Sequence, residues 1–162
     1  MQEKPKTVAI YTLGCKLNTY DSEYYREQFE SQGYRVVPFG EAADVTVVNT
    51  CTVTGEGDAQ SRQMLRKAHR VSPDGSVVAV GCYAQTDPDR LIEMPEVDLV
   101  VGMAEKSRLI DLVNDTCSTG NTFVTRGRAA EFHDMDIVNF GGRARAFVKV
   151  QEGCNEFCSF CI

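Results

Sequence analysis

No apolar run in this sequence is longer than a β-strand, so no segment is expected to span a membrane. The opening residues, Met1 to Lys6, are polar and no apolar core follows them, so no secretory leader is read there. Those two absences point to the cytoplasm. Positive charge is also short. Seventeen Lys and Arg stand against 23 Asp and Glu, a formal charge of −6, whereas neutralising a nucleic-acid backbone takes an excess of basic residues. This argues against strong nucleic-acid binding by the stretch as a whole and leaves only local basic patches open. Neither GxxxxGKS/T nor a GxGxxG opening the first helix occurs, so nucleotide-phosphate binding lacks its usual support. Flavin binding is not decided by a fold alone. Histidine is scarce: His69 and His133 fit no DxHxxG cobalamin signature, and neither is placed to complete a zinc site. There is no internal repeat and no low-complexity tract.

Cysteine, by contrast, is plentiful. Seven in 162 residues is many for a chain expected in a reducing compartment, where metal binding or redox chemistry is the better reading than disulfides. The odd count also fits a complete disulfide framework poorly. The length suits one ordinary domain plus a tail.

The first 113 residues alternate between strand and helix patterns. Thr7 to Leu13 is β-branched and apolar, a strand buried on both faces. Asn18 is placed to cap a helix with Asp21 in its first turn. Tyr25, Phe29 and Gln32 follow at helical spacing, and Gly33 ends it. Tyr34 to Val37 reads as a second strand, stopped by Pro38, and Asp44 to Thr50 as a third. A helix carrying the stripe Ser61, Leu65 and Ala68 comes next. Ser76 to Gly81 is a fourth strand, a short helix lies around Asp89 to Glu93, Val97 to Gly102 is a fifth strand, and Ala104 to Val113 a helix. Alternation with short connections predicts an α/β fold: a flavodoxin-like three-layer sandwich with a parallel five-stranded sheet in the order 2-1-3-4-5. Periodicity fades over 114–145, which reads as an interdomain linker with one short strand near Thr122 to Val124. Cys117 falls in what reads as a polar loop and is taken as an exposed free thiol. Arg62, Arg66, Lys67 and Arg70 form a basic helix stripe, either a solvated face or a surface for RNA.

Cys15, Cys51 and Cys82 each follow a buried strand directly. In the expected order the first, third and fourth strands are neighbours about 4.8 Å apart, so all three thiols emerge at one carboxyl edge. Helix N-termini face that edge and favour thiolate. Three thiolates suit an iron–sulfur site that keeps one iron open, whereas zinc would need a fourth ligand. The bland alternative is three small buried hydrophobes.

The last residues hold a second set. Cys154, Cys158 and Cys161 stand at CxxxCxxC spacing, after a strand candidate at Ala146 to Val150. Three thiolates in so short a loop can converge on one cluster, again one ligand short of a four-iron cube. This spacing resembles the radical S-adenosylmethionine signature, in which S-adenosylmethionine chelates the open iron.

Taken together, the motifs around Leu13-Gly14-Cys15-Lys16-Leu17-Asn18, Asn49-Thr50-Cys51-Thr52-Val53-Thr54, Gly81-Cys82-Tyr83-Ala84-Gln85 and Gly153 to Cys161 resemble the methylthiotransferases. Within that family the chain looks like the branch acting on N6-threonylcarbamoyladenosine in tRNA. The isopentenyladenosine branch tends to carry Gln-Met-Asn after its first cysteine, and the ribosomal-protein branch Pro-Lys-Asn. The resemblance implies two 4Fe–4S clusters, an auxiliary one on Cys15, Cys51 and Cys82 and one that binds S-adenosyl-L-methionine on Cys154, Cys158 and Cys161. It also implies a tRNA substrate and an electron donor of the flavodoxin or ferredoxin type. Reductive cleavage of S-adenosylmethionine would give a radical that takes hydrogen from C2 of the adenine, with sulfur supplied from the auxiliary cluster and the methyl group from a second S-adenosylmethionine. On this reading residues 1–113 are the auxiliary-cluster domain, 114–145 a linker, and 146–162 the first strand and motif of a truncated radical-SAM barrel. The whole is then an N-terminal portion, inactive alone. The rival readings are a zinc or redox module on the first three cysteines and a nucleotide- or flavin-binding α/β module.

Overall fold

The computed structural model describes residues 5–52, 54–119, 123–125, 127, 135–138, 148–151, 154, 156, 158 and 159. Six strands alternate with helices: β1 Thr7–Thr12, α1 Lys16–Ser31, β2 Arg35–Val37, β3 Val45–Thr50, α2 Gly55–Val71, β4 Ser76–Gly81, α3 Cys82–Thr86, α4 Pro88–Ile92, β5 Leu99–Val101, a single 3-10 turn at Lys106–Arg108, α5 Leu109–Thr119 and β6 Phe123–Thr125. The strands form one sheet in the order β2-β1-β3-β4-β5-β6, and every pairing is parallel. The first five strands take the flavodoxin-like order expected of them. The sheet has six strands instead of five because the short strand expected near Thr122 to Val124 pairs with β5.

Strand periodicity sorts the core into two faces. Val47, Val78, Leu99 and Val101 pack with Tyr25 and Phe29 of α1 and Leu109 and Val113 of α5. Val48, Val77, Ala79 and Val100 pack with Leu65 and Ala68 of α2, Tyr83 of α3 and Leu91 of α4. Successive residues of one strand therefore bury on opposite sides, and all six residues of β3 are buried. Phe29 and Leu65 have no exposed surface, and burying such a side chain stabilises the fold by roughly 1.5–3 kcal/mol.

Several local expectations are corrected. β1 is fully buried only over its first half, and Ile10 to Thr12 are half-buried. Cys15, not Asn18, occupies the cap of α1, in extended backbone with φ −104° and ψ −178°. Asn18 is inside the first turn, because its amide is used across the loops described below. The single short helix expected around Asp89 is two. Asp87 separates them: its carboxylate accepts from Arg90 N at 3.3 Å, and Pro88 sits in the first turn, where a missing N–H costs nothing. The helix expected from Ala104 opens as a 3-10 turn and continues to Thr119, so Cys117 is helical and not in a loop. Thr116 extends the buried stripe past the apolar run that ends at Val113, and its Oγ1 donates to Leu112 O. The Cys117 thiol is exposed, 3.4 Å from Ser76 Oγ. Of the strand expected at Ala146 to Val150, residues 148–150 are described and lie in no strand; the rest lies outside the described residues. No described helix is long and apolar enough to cross a membrane.

Candidate functional site

The register fixes where the first three cysteines go. Thr12, Asn49 and Val80 are aligned across β1, β3 and β4. Counting on from that row, Cys51 and Cys82 are each two residues further and Cys15 three. All three therefore leave the sheet at its carboxyl edge, on adjacent strands, as the sequence spacing implies. Cys51 is buried, Cys82 half-buried and Cys15 exposed, so the group is open on the β1 side.

Two glycines make this edge possible. Gly14 and Gly81 each precede a cysteine, and each has φ +94°, a conformation other residues rarely adopt. Gly14 occupies the same register row as Cys51 and Cys82. A Cβ on it would stand 3.0 Å from Cys51 Sγ and 3.0 Å from Asn18 Nδ2. A Cβ on Gly81 would stand 2.4 Å from Asn49 Oδ1 and 2.6 Å from Thr50 O. The turn at each glycine lets a helix begin at once: α1 directly after Cys15, and α3 at Cys82 itself.

Under the cysteines lies a set of buried polar side chains. Asn18 Nδ2 donates to Leu13 O at 2.8 Å and Thr50 O at 3.0 Å, joining the ends of β1 and β3. Its Oδ1 faces Cys82 Sγ at 4.0 Å. Asn49 Nδ2 donates to Asn18 O at 2.9 Å and to Ser22 Oγ at 3.0 Å. Thr50 Oγ1 donates to Val80 O at 2.6 Å and accepts from Ala84 N at 3.3 Å, which ties the Cys82 turn to β3. Ser61 Oγ accepts from Cys51 N at 3.2 Å and donates to Cys51 O at 3.1 Å. Each cysteine loop is thus held by side chains that would cost about 1–3 kcal/mol apiece if left unpaired. Sequence reading took Ser61 only as part of a helix stripe and Asn18 as a cap. The available signal was polar Asn49 and Thr50 closing a strand otherwise buried and apolar.

The electrostatics place the thiols in one neighbourhood. Burial raises the pKa of Cys82, and the charges of Cys15, Cys51 and Asp21 raise it further, while Lys106 lowers it. The N-terminal turn of α2, capped by Thr54 Oγ1 accepting from Gly57 N at 3.1 Å, lies beside Cys51: a Cβ on Gly57 would be 3.3 Å from Cys51 O. A 17-residue helix directs partial positive charge there.

Among the described residues no three His, Cys, Asp or Glu stand close enough to share a single metal ion. Three cysteines alone also leave tetrahedral zinc one ligand short. Three thiols leave three neighbouring strands about 4.8 Å apart, with Gly14 beside Cys51 and the Cys15 flank open; thiolates are the donors that an iron–sulfur cluster takes.

The second set is described only in part. Cys154 and Cys158 are exposed, and Cys161 lies outside the described residues. The basic stripe of α2 is largely engaged within the protein. Arg62 lies 5.7 Å from the Tyr83 ring centre and donates to its hydroxyl at 2.7 Å. Lys67 lies 5.1 Å from the Phe39 ring centre, and Arg66 pairs with Glu96 at 3.8 Å.

The model of a family described as "Uncharacterized protein family UPF0004" matches residues 7–102, a span that contains Cys15, Cys51 and Cys82. The threonylcarbamoyladenosine tRNA methylthiotransferase MtaB of Bacillus subtilis is 43% identical over 159 residues, covering 96% of this chain and 35% of its own length. That of Aquifex aeolicus is 45% identical over 158 residues, covering 96% and 38%. The ribosomal protein uS12 methylthiotransferase RimO of Desulfitobacterium hafniense is 32% identical over 168 residues, covering 100% and 38%. The chain spans little more than a third of the length of these curated relatives. It belongs to the uncharacterized protein family UPF0004 and is similar, over nearly its whole length, to threonylcarbamoyladenosine tRNA methylthiotransferases.

Proposed function

We propose that this chain is the sulfur-handling portion of a radical S-adenosylmethionine enzyme that adds a methylthio group to C2 of N6-threonylcarbamoyladenosine in tRNA. The observation that carries the proposal is the convergence of Cys15, Cys51 and Cys82 at one sheet edge, on a chain whose more similar relatives bear that activity in their names. The margin over the ribosomal-protein relative, 43–45% against 32% identity, favours the tRNA branch.

Cys15, Cys51 and Cys82 would hold the auxiliary cluster, and Cys154, Cys158 and Cys161 the cluster that binds S-adenosylmethionine. Such clusters supply an iron with a free coordination position, at which sulfur or a chelating ligand is held. The chain's own residues do the positioning. Gly14 leaves the space beside Cys51 free of a side chain, Gly81 lets the end of β4 close against β3, Asn18 and Thr50 lock the three loops to one another, and Ser61 fixes both backbone groups of Cys51. The buried floor excludes water on the β3 side, at Cys51, while the exposed Cys15 leaves one flank for access. Electrons would come from a flavodoxin- or ferredoxin-type donor, and the enzyme would work in the cytoplasm.

The test is the nucleoside profile of tRNA from cells in which the gene encoding this chain is deleted. Loss of the methylthio form of threonylcarbamoyladenosine, with the isopentenyl form and ribosomal protein uS12 unchanged, is the expected result. Loss of either of those instead would assign the chain to another branch.

A further inference from the structure

A buried ion cluster joins the floor of the first cysteine site to the segment that leads into the second. Asp21, on α1, accepts from Lys106 Nζ at 2.9 Å through Oδ2 and from Lys149 Nζ at 3.3 Å through Oδ1. The three side chains are 5%, 2% and 3% exposed, so the contact is sealed from solvent. Lys149 is 128 residues from Asp21 in sequence and five before Cys154. α1 holds the same returning segment elsewhere: Tyr20 Oη donates to Met135 O at 2.8 Å, and Glu27 accepts from Val138 N at 3.0 Å. Met135 is itself buried, with its sulfur 3.9 Å from Lys149 Nζ.

Burying an ion pair gains little net stability over apolar packing, while removing one partner costs several kcal/mol. What such a pair does supply is a single allowed position. Apolar contacts alone would let the segment slide: Val148 and Val150, its two flanking side chains, are both exposed.

We propose that Asp21 is a positioning residue: by clasping Lys149 it sets the distance between the two cysteine sites. The geometry limits that distance. Asp21 is six residues along α1 from Cys15, about 9 Å of helix. Cys154 is at most about 17 Å of extended chain from Lys149. The clasp therefore bounds how far Cys154 can lie from the open flank at Cys15. This rests on the reading above only in assigning clusters to both sites; the clasp itself does not depend on it.

The test uses the protein reconstituted anaerobically with iron and sulfide, as wild type and as Lys149→Met, which leaves the Asp21–Lys106 pair intact. With both forms carrying equal iron, the spin–spin interaction between the two reduced clusters, read by electron paramagnetic resonance, is expected to weaken or broaden in distribution in the variant. An identical spectrum at equal iron content overturns the proposal. The second readout needs no metal: hydrogen exchange of the Val138 amide, held by Glu27 on the same returning segment, is expected to accelerate at least about tenfold in Lys149→Met. Unchanged exchange overturns the clasp, whereas wild-type protein that takes up no iron refutes the cluster reading and leaves the exchange result to decide the clasp.

Discussion

Replacing Gly81 with alanine should cripple both the fold and the cysteine edge, and Gly33→Ala provides the control. Both glycines have positive φ, +94° and +82°. Around Gly33 nothing lies within 4 Å of an added Cβ, so its alanine variant should lose only the backbone term, about 1–2 kcal/mol. Gly81 combines φ +94° with ψ −161°, a region used essentially by glycine alone, at roughly 1–3 kcal/mol. Its Cβ would also lie 2.4 Å from Asn49 Oδ1 and 2.6 Å from Thr50 O. Thr50 O is backbone of a central strand and cannot give way, and Asn49 Oδ1 is a side-chain end held in place by the two hydrogen bonds of its Nδ2; overpacking of that kind costs about 1–3 kcal/mol. The expected total is about 2–6 kcal/mol, against a stability of roughly 5–15 kcal/mol for a domain. Urea unfolding measures both variants, with the slope of each transition checked for two-state behaviour. The same clash would push Cys82 away from Cys51, so iron uptake at the first site should fall in Gly81→Ala and hold in Gly33→Ala. Equal losses of stability in the two variants would refute the argument that the approach of β3 requires this glycine.

Asn18→Ala removes two hydrogen bonds that join the ends of β1 and β3; it should destabilise the protein by about 2 kcal/mol and lower iron retention, and urea midpoints with iron content check both. Burial depresses the pKa of Lys106 from 10.5 to about 8, with Asp21 opposing the shift and Lys149 adding to it. The unfolded chain keeps that proton up to about 10.5, so above pH 8 the unfolded state binds more protons and stability rises with pH. Cys82 and the buried tyrosines, whose pKa values are raised above 9 and 10, act in the opposite sense at higher pH. Metal-free protein should therefore gain up to about 1.4 kcal/mol between pH 8 and 9, and Lys106→Met should lose that slope; equal slopes in the two proteins would contradict the assignment.

Much of the frame was legible in the chain itself. β-branched runs at Val45 to Thr50 and Ser76 to Gly81 announce strands buried on both sides, and their parallel order follows from short right-handed crossovers. That order brings Cys15, Cys51 and Cys82 to one edge before any coordinates are known. What was not legible depends on contacts distant in sequence. Asn18 looks like a cap because local spacing shows no partner for its amide on β3, 32 residues away. The end of α5 was misjudged because the apolar run stops at Val113, while Thr116 continues the buried face through a hydrogen bond to Leu112 O. Asp21 and Lys149 are ordinary surface residues by type, and only the fold brings them together in a buried contact.

The central claim is that Cys15, Cys51 and Cys82 hold an iron–sulfur cluster on their own, independently of the CxxxCxxC set. Anaerobic reconstitution with iron, sulfide and competing zinc, in protein whose Cys154, Cys158 and Cys161 are replaced by alanine, tests it most directly. The account predicts about four irons and four sulfides per chain, with charge-transfer absorption that disappears on Cys51→Ala. One zinc per chain with no sulfide, or no metal at all, would contradict it.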